Sequence, residues 1–149
     1  MLGKNPVING EKPNEVYDLD DKDYLKTLGY DLSHDGEIAD EYAHYPRCDW
    51  AVIEWKGSAM PKAIRQVEVT SKKLGQINKP VDLVIILKKR LNRYEQRFYR
   101  RRNDRVLIDL QGQPYYVRVG NHSVNILLLY YSEENSDTNL LKYVSKGEA

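Results

Sequence analysis

Within the stretch RCDWAVIEWKGSAMPKAIRQ, residues 47 to 66, stand the side chains best suited to chemistry, Asp49, Glu54 and Lys56. Glu54 and Lys56 are two apart, so on a strand both project from one face. In metal-dependent phosphodiester hydrolysis a carboxylate holds Mg²⁺, while a nearby lysine orients the attacking water or offsets charge developing on the phosphate. A carboxylate and a lysine two apart also occur on ordinary solvent-facing strand edges, so the reading needs a second acid to complete a metal site.

Three acids are candidates. If residues 49 to 57 form one strand, five steps of about 3.3 Å put the Asp49 and Glu54 Cα atoms roughly 16 Å apart, on opposite faces. A two-residue turn at Ala51 and Val52 would bring them together, but valine suits the positive φ of such a turn poorly. Asp40 and Glu41 are the alternatives. If EIADEYA pairs with DWAVIEWKG across the turn YPRC, a register centred near Arg47 sets Asp40 opposite Glu54.

The elements that must position these groups are legible in outline. Pro46 disfavours helix before it, and DWAVIEWKG has the β-branched and aromatic content of a strand. EIADEYAH, residues 37 to 44, reads as another. Met60, Ala63, Ile64, Val67 and Leu74 fall near one helical face, which predicts a helix over 59–74 with Ser58 as N-cap, Pro61 in the first turn and Gly75 at the C-terminal cap. VDLVIILKK is almost continuously apolar, as in a central strand covered on both faces. NRYEQRFYRRR, residues 92 to 102, predicts a basic amphipathic helix with Tyr94 and Phe98 on one face and Arg93, Arg97, Arg100 and Arg101 on another. RVLIDL and YYVRV flank QGQP as a hairpin, and SVNILLLYY is one further strand. The fold class expected is α/β, a mixed β-sheet flanked by helices.

RCDW, then VIEWKGS, then a helix holding AIRQ resembles the PD-(D/E)XK nuclease superfamily over residues 47 to about 90, under a third of the chain. The resemblance implies a restriction-endonuclease-like fold and a DNA endo- or exonuclease using Mg²⁺ (or Mn²⁺). It matches Asp49 to the first metal acid, Glu54 to the second, Lys56 to the catalytic lysine and Gln66 to the helix residue supporting the site. In one respect the chain departs from the pattern. Family members place a hairpin between the first acid and the Glu-x-Lys strand, whereas four residues separate Asp49 from Glu54 here. A relative that keeps the fold and binds nucleic acid without cutting it is the alternative.

Charge is unevenly spread beneath a net charge of +1 in 149 residues. Residues 1 to 43 carry four basic residues against eleven acidic ones, residues 44 to 132 carry seventeen against seven, and the tail from 133 is polar. This divides the chain into an acidic N-terminal segment (1–43) packing on or extending the domain, a nuclease-like core (44–132) and a C-terminal tail (133–149). The basic body suits a polyanion, and DNA is the partner it implies. From Lys88 to Arg105 nine basic residues stand against Glu95 and Asp104, able to neutralise phosphates while Tyr94, Phe98 and Tyr99 anchor the segment or stack on unpaired bases. The plainer reading is that these arginines solvate an outer face. His34, His44, His122 and Cys48 lack metal-ligand spacing, and the phosphate-binding glycine fingerprints are absent. The apolar runs are too short to span a bilayer, and the N-terminus lacks a secretory signal, which places the chain in the cytoplasm. A homodimer is compatible with the sequence, which leaves oligomeric state open.

Overall fold

The computed structural model describes residues 12–29, 37–46, 49–55 and 59–130. Strand β2 (Glu41–Tyr45) is followed in the chain by β3 (Asp49–Trp55), its antiparallel neighbour. Their antiparallel register runs from Tyr45↔Asp49 to Glu41↔Ile53, and is therefore centred at position 47. The strand expected over 37–44 begins only at Glu41, because Asp40 closes a bend in which its own amide donates to the Ile53 carbonyl at 3.1 Å. β1 (Glu15–Asp18) pairs antiparallel with the outer side of β2, so the acidic segment supplies β1 and the first three residues of β2. Between β1 and β2, helix α1 (Lys22–Thr27) starts at Asp21, whose Oδ1 accepts the Asp23 and Tyr24 amides.

From β3 the chain crosses through helix α2 (Met60–Gln76) to β4 (Leu83–Lys88), which lies parallel to β3 with Glu54 beside Ile86. β8 (His122–Tyr130) is parallel to β4, and β7 (Tyr116–Val119) closes the edge as the antiparallel partner of β8. The result is an α/β fold with a mixed six-stranded sheet in the order β1-β2-β3-β4-β8-β7. Every residue of β4 is buried, as its unbroken apolar run requires of a strand with both faces covered. On one face Tyr42, Val52, Val84, Ile86 and Leu128 pack with Ala63, Val67 and Leu74 of α2; on the other, Ala43, Ala51, Ile53, Ile85 and Leu127 form a second apolar layer. No helix among the described residues is long and apolar enough to cross a membrane.

Gly75 does not end α2, which runs to Gln76; Asn78 takes the left-handed conformation instead, with φ 61°. Gly75 serves the close approach of α2 to β7, since a Cβ there would lie 2.8 Å from Val119 Cγ1. Ser58 falls outside the described residues, and the Met60 amide at the start of α2 donates to Glu95 Oε2 at 3.1 Å.

The basic helix over 92–102 does not form. Only a 3-10 turn at Glu95–Arg97 is helical, followed by β5 (Arg100–Arg101), which pairs with β6 (Leu107–Ile108). Asn92 and Glu95 bond reciprocally, side chain to backbone, while the Glu95 carboxylate also holds Lys88 Nζ at 3.0 Å. These bonds fix the first turn and tie it to β4 and α2. The arginine run after it joins a two-stranded ladder. The hairpin expected around QGQP forms close to the turn, where Ile108 bridges Pro114 and the Tyr115 and Asp109 amides donate to the Leu107 and Gln113 carbonyls, each at 2.9 Å; beyond it β6 pairs with β5 and β7 with β8.

Candidate functional site

The hairpin register carries Asp40 to the position opposite Glu54, one step beyond the Glu41↔Ile53 pair. Glu54 lies on the α2 face, two residues from Val52, and is buried. Its Oε1 accepts no hydrogen bond. Asp40 is half-buried, and its Oδ2 accepts the Trp55 amide at 2.8 Å, which closes the end of the hairpin. Burial foremost, then the Asp40 carboxylate, pushes the Glu54 carboxyl up to about 8. The Asp40 amide and the Lys62 ammonium act in the opposite direction, while Asp20 adds to the rise.

Helix α2 fixes the approach to Asp40. Gln66 Nε2 donates to the Ile38 carbonyl at 3.3 Å, and Thr70 Oγ1 accepts the Ala39 amide at 2.8 Å. Arg65 pairs with Glu37 at 2.8 Å on the exposed side of the same segment. Gln66 thus touches the backbone ahead of Asp40, and its buried Oε1 has no hydrogen-bond partner. Thr70, Lys62 and Asp20 were not singled out from the sequence. Lys62 and Thr70 lie four before and four after Gln66, on a helix already placed beside the strands, whereas Asp20 becomes relevant only once β1 joins the sheet.

Asp49 and Glu41 are not brought to Glu54. Asp49 pairs with Tyr45 at the far end of β3, five residues along an unbroken strand, about 16 Å at the usual rise. Glu41 lies on the opposite face of β2 from Tyr42, where its Oε1 accepts Trp55 Nε1 at 2.8 Å. Lys56 lies outside the described residues. The four arginines share no face. Arg93 and Arg97 are exposed about the 3-10 turn, and Arg100 and Arg101 are consecutive on β5. Arg101 is turned inward, its guanidinium 4.0 Å above the Tyr130 ring and its Nη1 donating to the Leu128 carbonyl at 3.3 Å. Tyr94 and Phe98 do not anchor the segment; they are 67% and 46% exposed, with ring centroids 5.3 Å apart.

Among the described residues no group of three His, Cys, Asp or Glu side chains is gathered closely enough to form a metal cage. The Asp40 and Glu54 pair nevertheless fits a hard divalent cation. Mg²⁺ is commonly held by one or two carboxylates and keeps several waters. A buried carboxyl oxygen without a hydrogen bond beside a second acid is an arrangement that a cation would neutralise. No protein-family model matches the chain, and neither does any curated protein or solved structure.

Proposed function

We propose that the chain is a metal-dependent deoxyribonuclease of the restriction-endonuclease-like fold, hydrolysing phosphodiester bonds of DNA with Mg²⁺ or Mn²⁺ held by Asp40 and Glu54. The observation that carries the reading is the register placing Asp40 opposite the buried Glu54 carboxyl, whose Oε1 accepts no hydrogen bond. The antiparallel β1-β2-β3 meander, the α2 crossover and parallel β4 also agree with the fold that the Glu-x-Lys resemblance implies. When bound, the ion would supply Lewis acidity toward the phosphate and lower the pKa of a coordinated water. Asp40 and Glu54 provide the anionic ligands. Gln66 and Thr70 hold residues 38 and 39, and so the position of Asp40. Lys56 is assigned, by the resemblance, the part of orienting water and offsetting phosphate charge.

A non-catalytic nucleic-acid-binding protein is the second reading. It is favoured by the exposed arginines 93, 97 and 100, which could bind phosphates without any metal. Incubation of single- and double-stranded DNA with the full chain in Mg²⁺ or Mn²⁺ at low salt separates the two. Cleavage that disappears in Glu54→Gln supports the nuclease. Intact DNA with retained binding supports the rival.

A further inference from the structure

Beyond the ends of β4 and β8 lies an open recess of about 560 Å³, lined by Arg90, Gln96, Tyr99, Arg100, Arg101 and Tyr130. Its size is that of a small-ligand site. Its wall is built rather than incidental. Gln96 Nε2 donates to the Leu91 carbonyl at 2.9 Å, and the buried Lys88–Glu95 pair anchors the turn to β4. Arg101 is locked against Tyr130 and the Leu128 carbonyl.

The lining holds three guanidinium groups and no carboxylate. Among the described residues none of the three forms a salt bridge, whereas Arg65 and Arg102 elsewhere each have an acid at 2.8 Å. Burial, and then the nearby Arg105, hold Arg101 below its ordinary pKa, as expected where positive charge is uncompensated. Burial raises both Tyr99 and Tyr130, so each hydroxyl keeps its proton at neutral pH and can donate a hydrogen bond.

The recess also shares an edge and a face with the two acids. β3, β4 and β8 are parallel neighbours, with Glu54 beside Ile86 and Lys88 beside Tyr130. At about 4.8 Å between strands and 3.3 Å per residue, the Cα atoms of Glu54 and Tyr130 are roughly 12 Å apart. Tyr99, Tyr130 and Leu91 pack against the same apolar layer as α2, the face on which Glu54 lies.

We infer that this recess binds a phosphate of single-stranded nucleic acid, with Arg90, Arg100 and Arg101 on the phosphate oxygens and Tyr99 beside the adjoining nucleoside. Guanidinium groups match phosphate geometry, and an aromatic ring accepts any base. The inference deepens the nuclease reading and rests on it for one point, that the same strand continues to Glu54.

Binding is tested apart from cleavage, using the full chain in EDTA and fluorescence anisotropy over a range of salt. The probes are a 5′-phosphorylated oligonucleotide, the same oligonucleotide without the phosphate, and a circular single strand that has no ends. Arg90→Ala/Arg100→Ala is expected to weaken binding and to reduce the slope of log affinity against log salt by about 0.7 to 1.4, one or two phosphate contacts. Arg118→Ala, an exposed arginine on β7, should leave both unchanged. A loss confined to the phosphorylated oligonucleotide assigns a terminal phosphate, and a loss on all three probes assigns an internal one. Arg101→Lys, which keeps the charge but not the planar fork, should also weaken binding in a protein with unchanged melting temperature. Unchanged affinity and slope in the double variant, or an equal loss in Arg118→Ala, would overturn the inference. Because the binding assay contains no metal, its outcome is separate from that of the Mg²⁺ or Mn²⁺ cleavage assay, whose failure would count against the Glu54 reading alone.

Discussion

The Thr70 hydroxyl accepts the Ala39 amide, and through that bond α2 holds the chain one residue before Asp40. Thr70→Val keeps the shape but leaves a buried amide without an acceptor, at an expected cost of about 1–3 kcal/mol. Cleavage should fall with it, while Thr70→Ser restores both, as read by urea denaturation and a DNA cleavage assay. Glu95 is a different kind of residue, concerned with stability. Burial alone would raise its carboxyl, but the Asn92 amide, the Lys88 ammonium and the Met60 amide together hold it below the ordinary value of 4.5. In acid the unfolded chain therefore takes up this proton before the folded one does. The stability Glu95 contributes is present above about pH 4.5 and is lost as pH falls through the lower folded value. Glu95→Gln removes the carboxylate that holds buried Lys88 at 3.0 Å and is expected to cost about 3–5 kcal/mol at neutral pH. The loss should shrink on acidification, measured by denaturant unfolding at several pH values; a constant difference would contradict it.

Helix α2 and strand β7 meet at Gly75, where intrinsic propensity and packing disagree. Alanine is the better helix former by about 1 kcal/mol. Yet its Cβ would lie 2.8 Å from the Cγ1 of buried Val119. Gly75→Ala is therefore expected to destabilise by about 1–3 kcal/mol, as overpacking does, and Val119→Ala in the same chain to relieve part of the loss. Thermal melts of the single and double variants check this. The glycine was visible in the sequence as a helix end, because its partner strand lies more than forty residues away. The same limit explains the segment 92–102. Tyr94 and Phe98 have helical spacing, but the bonds that decide the backbone run from Glu95 to Lys88 and Met60, and from Arg100 and Arg101 to β6. Elements ruled by local pattern were legible: α2 from its apolar face, β4 from its unbroken apolar run, and the β2-β3 register from the turn at Pro46.

At the scale of the whole molecule, parallel β3, β4 and β8 bring Glu54, the Lys88–Glu95 pair and the arginine recess to one edge of the sheet, on the face that α2 covers. Asp49 belongs to the opposite end of β3. Open sheets of this kind place ligands outside the carboxyl ends of their parallel strands. The sequence yielded the hairpin geometry of the Asp40–Glu54 pair because register is arithmetic once a turn is placed. It could not yield Asp20 or the recess, which arise from strands distant in the chain. Whether Asp40 and Glu54 hold the metal is read from Mn²⁺ binding to the full chain, followed by calorimetric titration. Asp40→Asn and Glu54→Gln are each expected to abolish or severely weaken binding, while Asp49→Asn binds as the parent chain does. Binding lost in Asp49→Asn and retained in Asp40→Asn, or no Mn²⁺ bound by the parent chain, would contradict this expectation.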